Sequence, residues 1–488
     1  TSTITNIISN NIDFCYNQFA KNGDNEYKNI AFTLIQLVVN SVLAQELQEA
    51  NFRNKDETVK TLYTNVENLR QKWARVNQEI YYEEEAEEAN KIDSLIQQRV
   101  IISENLYNAI DSYEKAIPEE SLQLKILKIN DLKTQKNKET ILQYYVGEKF
   151  VYVFLFSEQQ AHFYRLGTTE LLKKNMLLFK DKLLQRHGAD EILKNISKTL
   201  IPFHKDLNKK CIIIPHTLLN DIPFELLTTT NGTKLVTKID ISYDAALSLI
   251  NNNQKNYTDY KTNWVGFGVS KAGDNALPQV INEIENISKL LKNPKYIRKE
   301  ATKKRMLKEF KSSKIVHIAS HGILDKKNAL YNKLILNDKD LTTSEIYNEK
   351  IHSKMIVLSA CNTGNGIQQT GEGIISLARA FRFGGAKSVI MSLWEVPDQQ
   401  TSEIMLFFYK HLKNGVPKDK ALRLAKLEYL NSVEDIKFKA PFYWAGFIIN
   451  GNTTPIDFNN HQYSYWWLLI PILIFFIILY FKKIYYKI

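Results

Sequence analysis

Cysteine is scarce in this chain. Cys15, Cys211 and Cys361 are its only thiols among 488 residues, with neither metal-ligand spacing nor the pattern of a disulfide framework. So few thiols fit a reducing cytosol without excluding an oxidising compartment. Cys211 precedes Ile212-Ile213-Ile214 and reads as a small buried hydrophobe in a strand, while Cys15 lies in a helical pattern and reads as packing. A zinc finger, an RNP-type aromatic motif and a basic helix are all missing. The net charge of +11, from 64 Lys+Arg against 53 Asp+Glu, therefore reads as a lysine-rich solvated surface rather than a nucleic-acid site. Phosphate cradles are missing too. Gly266-Phe267-Gly268-Val269-Ser270-Lys271-Ala272-Gly273 is followed by Asp274 where a P-loop needs lysine, and Gly364-Asn365-Gly366 lacks the third glycine of a dinucleotide fingerprint. The first residue is Thr1, from which we expect a leader or a larger region upstream; the residues given hold no signal-peptide pattern.

Glycine and proline are rare up to about residue 129, where Glu, Gln, Lys, Leu and Ala dominate. This stretch reads as helical, with an amphipathic segment from Ala31 through Leu47, a second helix from about Glu57 to Ile96 and a third over Asp93 to Lys115. It is expected to be the end of a helical repeat array or a coiled-coil arm, domain 1–135. The acidic run Glu83-Glu84-Glu85 reads as a solvated face. Around Thr140 the pattern changes to strands alternating with helices, a βαβ signature over 140–455. Residues 143–156 read as a hairpin around Gly147-Glu148, and helices are expected at 169–199, 279–292, 303–311, 372–383, 399–413 and 417–430. The region divides into halves of 140–260 and 261–455.

The run Tyr465 to Phe481 carries no charge and is followed by Lys482-Lys483 and Lys487. It is a little short of the ~20 residues that span a bilayer, and aromatic flanks at Tyr463, Tyr485 and Tyr486 extend it. We expect a single-pass membrane anchor over 463–484 with a basic tail at 485–488. The positive-inside rule would keep that tail in the cytoplasm and the bulk of the chain outside; a tail anchor without a leader would do the opposite.

Two apolar runs carry the chemistry. Lys314-Ile315-Val316-His317-Ile318-Ala319 leads to Ser320-His321-Gly322, and Lys354-Met355-Ile356-Val357-Leu358-Ser359-Ala360 leads to Cys361. Continuous Ile/Val/Leu marks parallel strands buried on both faces, and open α/β sheets place chemistry at the carboxyl ends of such strands. His321 as base and Cys361 as nucleophile would make a cysteine hydrolase, in the order that caspase-like sheets show. His317, four residues earlier, reads as a histidine packed and hydrogen-bonded in the sheet. A metal pair with His321 lacks a third ligand at suitable spacing.

The local words His317-Ile318-Ala319-Ser320-His321-Gly322 and Leu358-Ser359-Ala360-Cys361-Asn362-Thr363-Gly364 resemble those of the CHAT peptidase family, relatives of caspases and separases. The resemblance covers roughly 140–452. It takes in Ile212-Ile213-Ile214-Pro215 with Pro223-Phe224-Glu225, and Leu277-Pro278 with Glu283-Ile284-Glu285. Further along come Gly371-Glu372-Gly373, Gly384-Gly385-Ala386 and Phe442-Tyr443-Trp444-Ala445-Gly446-Phe447. Such a family commonly follows tetratricopeptide repeats, and Ala31 to Leu47 looks like the helix that ends them. The resemblance implies an α/β fold with a tandem caspase-like sheet domain, a pseudo-caspase half and an active half. It implies a Cys361–His321 dyad hydrolysing peptide bonds through a thioester, without metal or cofactor. Backbone N–H groups of Gly322 and Cys361 would receive the oxyanion. Trp394-Glu395-Val396-Pro397-Asp398 resembles the segment lining the substrate cleft, which makes Trp394, Glu395 and Asp398 candidates for substrate contact; Asp398 could instead cap the helix that begins near Gln399. A protein or peptide substrate, a regulatory protein at the helical region and a membrane are the implied partners, with no nucleic acid. One rival is a catalytically silent scaffold at the membrane; another is a basic membrane-surface binder of nucleic acid or lipid.

Overall fold

The computed structural model describes residues 2–39, 56–85, 89–117, 126–133, 139–157, 160–250, 259–269, 278–323, 332–360 and 370–458. Its strands are β1 (Glu139–Val146), β2 (Phe150–Ser157), β3 (Gln160–Thr168), β4 (Lys210–Ile214), β5 (Asp240–Tyr243), β6 (Thr262–Gly268), β7 (Lys295–Ile297) and β8 (Ser313–Ala319). They continue with β9 (Gly322–Ile323), β10 (Lys333–Leu334), β11 (Leu341–Thr342), β12 (Met355–Ala360), β13 (Ser388–Ser392) and β14 (Phe447–Gly451). Eleven of these form one sheet in the order β3-β2-β1-β4-β5-β14-β13-β12-β8-β6-β7, and β11-β10-β9 form a small second one.

The chain is therefore a mixed α/β protein with a large sheet and a helical N-terminal region. Its two halves share that sheet instead of building one each. The seam is β5 beside β14, paired in parallel at Tyr243 and Asn450. A buried clamp closes it: Lys426 Nζ lies 3.1 Å from Glu225 Oε1, and the Tyr243 hydroxyl donates to Glu225 Oε2 at 2.6 Å. The Pro223-Phe224-Glu225 turn thus owes its acid to this join. Strands β6, β8, β12 and β13 run parallel. They are sandwiched by helices Pro278–Leu291 and Asp398–Lys413 on one face and Lys303–Ser312 and Thr370–Gly384 on the other, which is why they read as unbroken apolar runs.

The hairpin falls where the sequence indicates, with Gly147 at the turn. A Cβ there would sit 2.9 Å from Ser9 Oγ, and that hydroxyl accepts the Glu148 N–H at 2.8 Å. Helices Ser2–Asn22 and Asn25–Val38 are thus docked on β1–β3. Asp13 accepts the Tyr152 hydroxyl at 2.7 Å, and Phe32 packs on Phe154 with ring centroids 5.0 Å apart. The helix expected from Ala31 to Leu47 is described to Val38; residues 40–55 lie outside the described residues. The helices expected over 57–96 and 93–115 are Glu57–Glu85 and Ala89–Ala116, so the boundary between them lies earlier than expected; they pack on each other through Val59, Val66, Ala109 and Tyr113. The helix expected at 169–199 is also two, Thr169–Leu184 and Asp190–Leu200. Arg186 takes a left-handed φ of 57°, and the bonds Arg186 N–H to Leu183 O and His187 N–H to Lys182 O end the first as a Schellman motif. Apolar periodicity runs through both pieces and hides the break.

The single-pass membrane anchor and the membrane location are corrected. Among the described residues no helix is long and apolar enough to cross a membrane, and the run 465–481 on which the expectation rested lies outside them. A span needs ~20 largely apolar residues in one helix, whereas the long described helices carry charge along their length.

Candidate functional site

Strand β8 delivers His321. Its last residue, Ala319, pairs with Ala360, the last residue of β12. Beyond it Ser320 turns the chain, its hydroxyl donating to Ile335 O. His321 then accepts the Ile335 N–H at 2.9 Å and is 5% exposed. The small sheet β9-β10-β11 thus holds the backbone of His321 against the end of the large one. Its pairing also orients Gly322. Opposite residues alternate between hydrogen-bonded and non-bonded pairs in an antiparallel ladder. Since His321 is bonded to Ile335, the Gly322–Leu334 pair is the non-bonded kind, and the Gly322 N–H faces away from β10. Short strands and the residue pair 321/335 carry no periodicity, so this support was not visible in the sequence.

Cys361, the expected nucleophile and second oxyanion donor, lies outside the described residues, as do residues 362–369. Strand β12 is described up to Ala360. Its ladder with β8 runs in step from Met355–Ile315 to Leu358–Ile318 and then slips, so that Ser359 is an extra residue before Ala360 meets Ala319. The other two thiols, Cys15 and Cys211, are buried, and burial pushes both up from the ordinary thiol value, as expected of packing residues.

His317 is packed in the sheet and fully buried. Its Nε2 is 2.8 Å from Ser359 Oγ on β12 and also 2.8 Å from Glu283 Oε1 on helix Pro278–Leu291. Its Nδ1 is 3.1 Å from the Tyr409 hydroxyl on helix Asp398–Lys413. The bond geometry favours Ser359, because Glu283 Oε1 has no aligned donor despite the short distance. Gly266 makes this assembly fit. A Cβ on it would overlap the Trp264 ring and come within 2.9 Å of Ile284 Cγ2, so glycine lets the helix bearing Glu283 approach β6. Gly266 and Gly268, two glycines of the rejected phosphate loop, are thus strand residues. Among the described residues no three His, Cys, Asp or Glu gather as metal ligands.

The segment after β13 is partly buried. Trp394 is 1% exposed and donates its Nε1–H to Phe442 O at 2.8 Å, so it shapes the loop from beneath. Glu395 is exposed, and Asp398 is half-buried. Helix Asp398–Lys413 begins one residue earlier than expected, with Pro397 at the cap position and no side-chain cap bond; Asp398 is its first residue rather than its cap. Both carboxyls lie above their ordinary range. Desolvation is the main cause for each, joined at Glu395 by Asp398 and opposed by Arg186, and joined at Asp398 by Glu283. Arg186, which the sequence did not single out, reaches this loop and lies 5.0 Å over the Phe442 ring.

The sequence profile of the CHAT domain matches residues 186–452, more than half of the chain. Tetratricopeptide repeat protein 28 of Mus musculus is 31% identical over 118 residues, and that of Homo sapiens 32% over the same length; each match covers 24% of this chain and 5% of the relative. The chain thus spans a small part of those proteins. Among solved structures, the separase–securin complex of Saccharomyces cerevisiae matches with a TM-score of 0.46 and 8% identity over 72% of this chain and 33% of that one. The complex of Porphyromonas gingivalis RgpB pro- and mature domains matches with a TM-score of 0.37 and 9% identity over 57% of this chain and 72% of that one. Likeness of that degree decides nothing about residues or chemistry. On the profile match, the chain belongs to the CHAT domain family.

Proposed function

We propose that this chain is a cysteine endopeptidase acting on a protein or peptide substrate, with Cys361 as nucleophile and His321 as general base and acid. One observation carries the reading. Ala319 and Ala360 are register partners on adjacent parallel strands, and in the sequence His321 follows the first by two residues and Cys361 the second by one. In this reading His321 takes the thiol proton as sulfur bonds to the peptide carbonyl carbon. The oxyanion accepts from the Gly322 N–H, which is turned away from β10, and from the Cys361 N–H. The carbon–nitrogen bond then breaks as His321 returns the proton to the amine, and water hydrolyses the thioester. Glu395 and Asp398 meet the side chains of the substrate, with Trp394 supporting their loop. The docked N-terminal helices form a regulatory region open to a partner protein.

A cysteine-directed activity probe tests the proposal. Labelling should vanish in Cys361→Ala and slow by about 10²–10⁴-fold in His321→Ala. A folded chain that never labels under any condition is a silent scaffold, and the peptidase reading falls.

A further inference from the structure

The polar cluster beneath the strand ends takes no part in the chemistry proposed above. Glu283, His317, Ser359 and Tyr409 come from four different elements, and none is more than 4% exposed. We propose that His317 is a positioning residue for the nucleophile: held by Tyr409, it grips Ser359 and so fixes the bulge from which the chain runs on to Cys361.

Ser359 is the residue at which the β8–β12 register slips. A bulge leaves its extra residue out of the ladder and re-aims the residues beyond it. Here a side-chain bond stands in for the missing ladder bond, between Ser359 Oγ and His317 Nε2 at 2.8 Å. The imidazole is anchored at its other end by the Tyr409 hydroxyl, 3.1 Å from Nδ1. That phenol is held well above its ordinary range by burial, so it keeps its proton. Nε2 faces Ser359 Oγ, with Glu283 Oε1 also 2.8 Å away. Held at both nitrogens, the ring is fixed, and so is the serine, two residues before Cys361. Misplacing a reacting group by about 1 Å costs on the order of 10²-fold in rate, which gives a buried bond at this bulge its leverage.

The inference rests on Cys361 as the nucleophile of a thiolate–imidazole pair, and one experiment separates the two. Iodoacetamide alkylation of Cys361 in the full chain, sulfur displacing iodide, is followed by peptide mass across pH. His321→Ala should raise the midpoint of the pH–rate profile towards the ordinary thiol value of about 8.5. Ser359→Ala and His317→Gln should raise it in the same sense, and Ser359→Thr, which keeps the hydroxyl, should restore the original midpoint. A purely structural role would lower the thermal midpoint without moving the profile. If His321→Ala shifts the profile while folded Ser359→Ala and His317→Gln do not, the positioning role is overturned and the dyad stands. If no variant shifts it, His321→Ala included, both readings are overturned. Ser359→Ala deletes a single oxygen and carries the test even if His317→Gln does not fold.

Discussion

Buried charge is the costliest thing this sequence puts inside the fold, and two lysines show how it is managed. Lys426 and Glu225 face each other across the seam, both nearly inaccessible. Removing one partner of such a pair strands the other charge. Lys426→Met is therefore expected to destabilise the protein by about 3–5 kcal/mol, read as a lowered urea midpoint, and a second change, Glu225→Leu, should recover part of the loss. Among the described residues Lys418 has no carboxylate at hydrogen-bond distance; its Nζ lies 3.0 Å from both Ser388 Oγ and Asn452 O. Burial, the largest cause, pulls its pKa down to about 7 from the ordinary 10.5. Between those two values the unfolded chain holds the proton that the folded chain has given up, so this group makes stability rise with pH across that window. Below about 7 both states are charged and the burial cost stands in full. Denaturant titrations at several pH values should show that rise in the parent and a flatter profile in Lys418→Met.

At the scale of elements, the distance between helix and sheet decides what the side chains can do. Helix Pro278–Leu291 reaches His317 because Gly266 leaves room for Ile284. Gly266→Ala should force the two apart at a cost of about 1–3 kcal/mol. It should also slow probe labelling at Cys361, since the bond from His317 to Ser359 depends on the same packing. Unchanged labelling in a destabilised Gly266→Ala protein would uncouple the helix from the site. The split of 169–199 into two helices follows the same logic. The left-handed Arg186 ends one helix and brings its guanidinium over Phe442, next to the loop that bears Glu395.

At the scale of the whole molecule, the continuous sheet is expected to make the halves one cooperative unit. Hydrogen exchange in rising urea should show β1–β5 and β6–β14 losing protection together. The hairpin Glu57–Glu85 and Ala89–Ala116 should open earlier, because its buried clusters are small and separate from the sheet core. Loss of β1–β5 ahead of the rest would mean that the seam at Tyr243 and Asn450 does not couple them. The same separateness explains what could be read in advance. Leu62, Val66, Leu69, Trp73 and Val76 mark a helix by themselves, and Met355 to Ala360 mark a strand to the residue.

The sequence by itself determined the buried parallel strands, because burial on both faces admits only apolar side chains, and it determined the words around His321 and Cys361 that mark the family. Only the tertiary structure decided that Glu283 and Tyr409 flank His317, that Ser359 is a bulge, that Gly322 turns its N–H away from β10 and that Glu225 finds Lys426 across the seam. Periodicity records how one segment meets its own surroundings. It holds no record of which distant segment arrives there, since that is fixed by crossover connections and close packing among elements far apart in the chain.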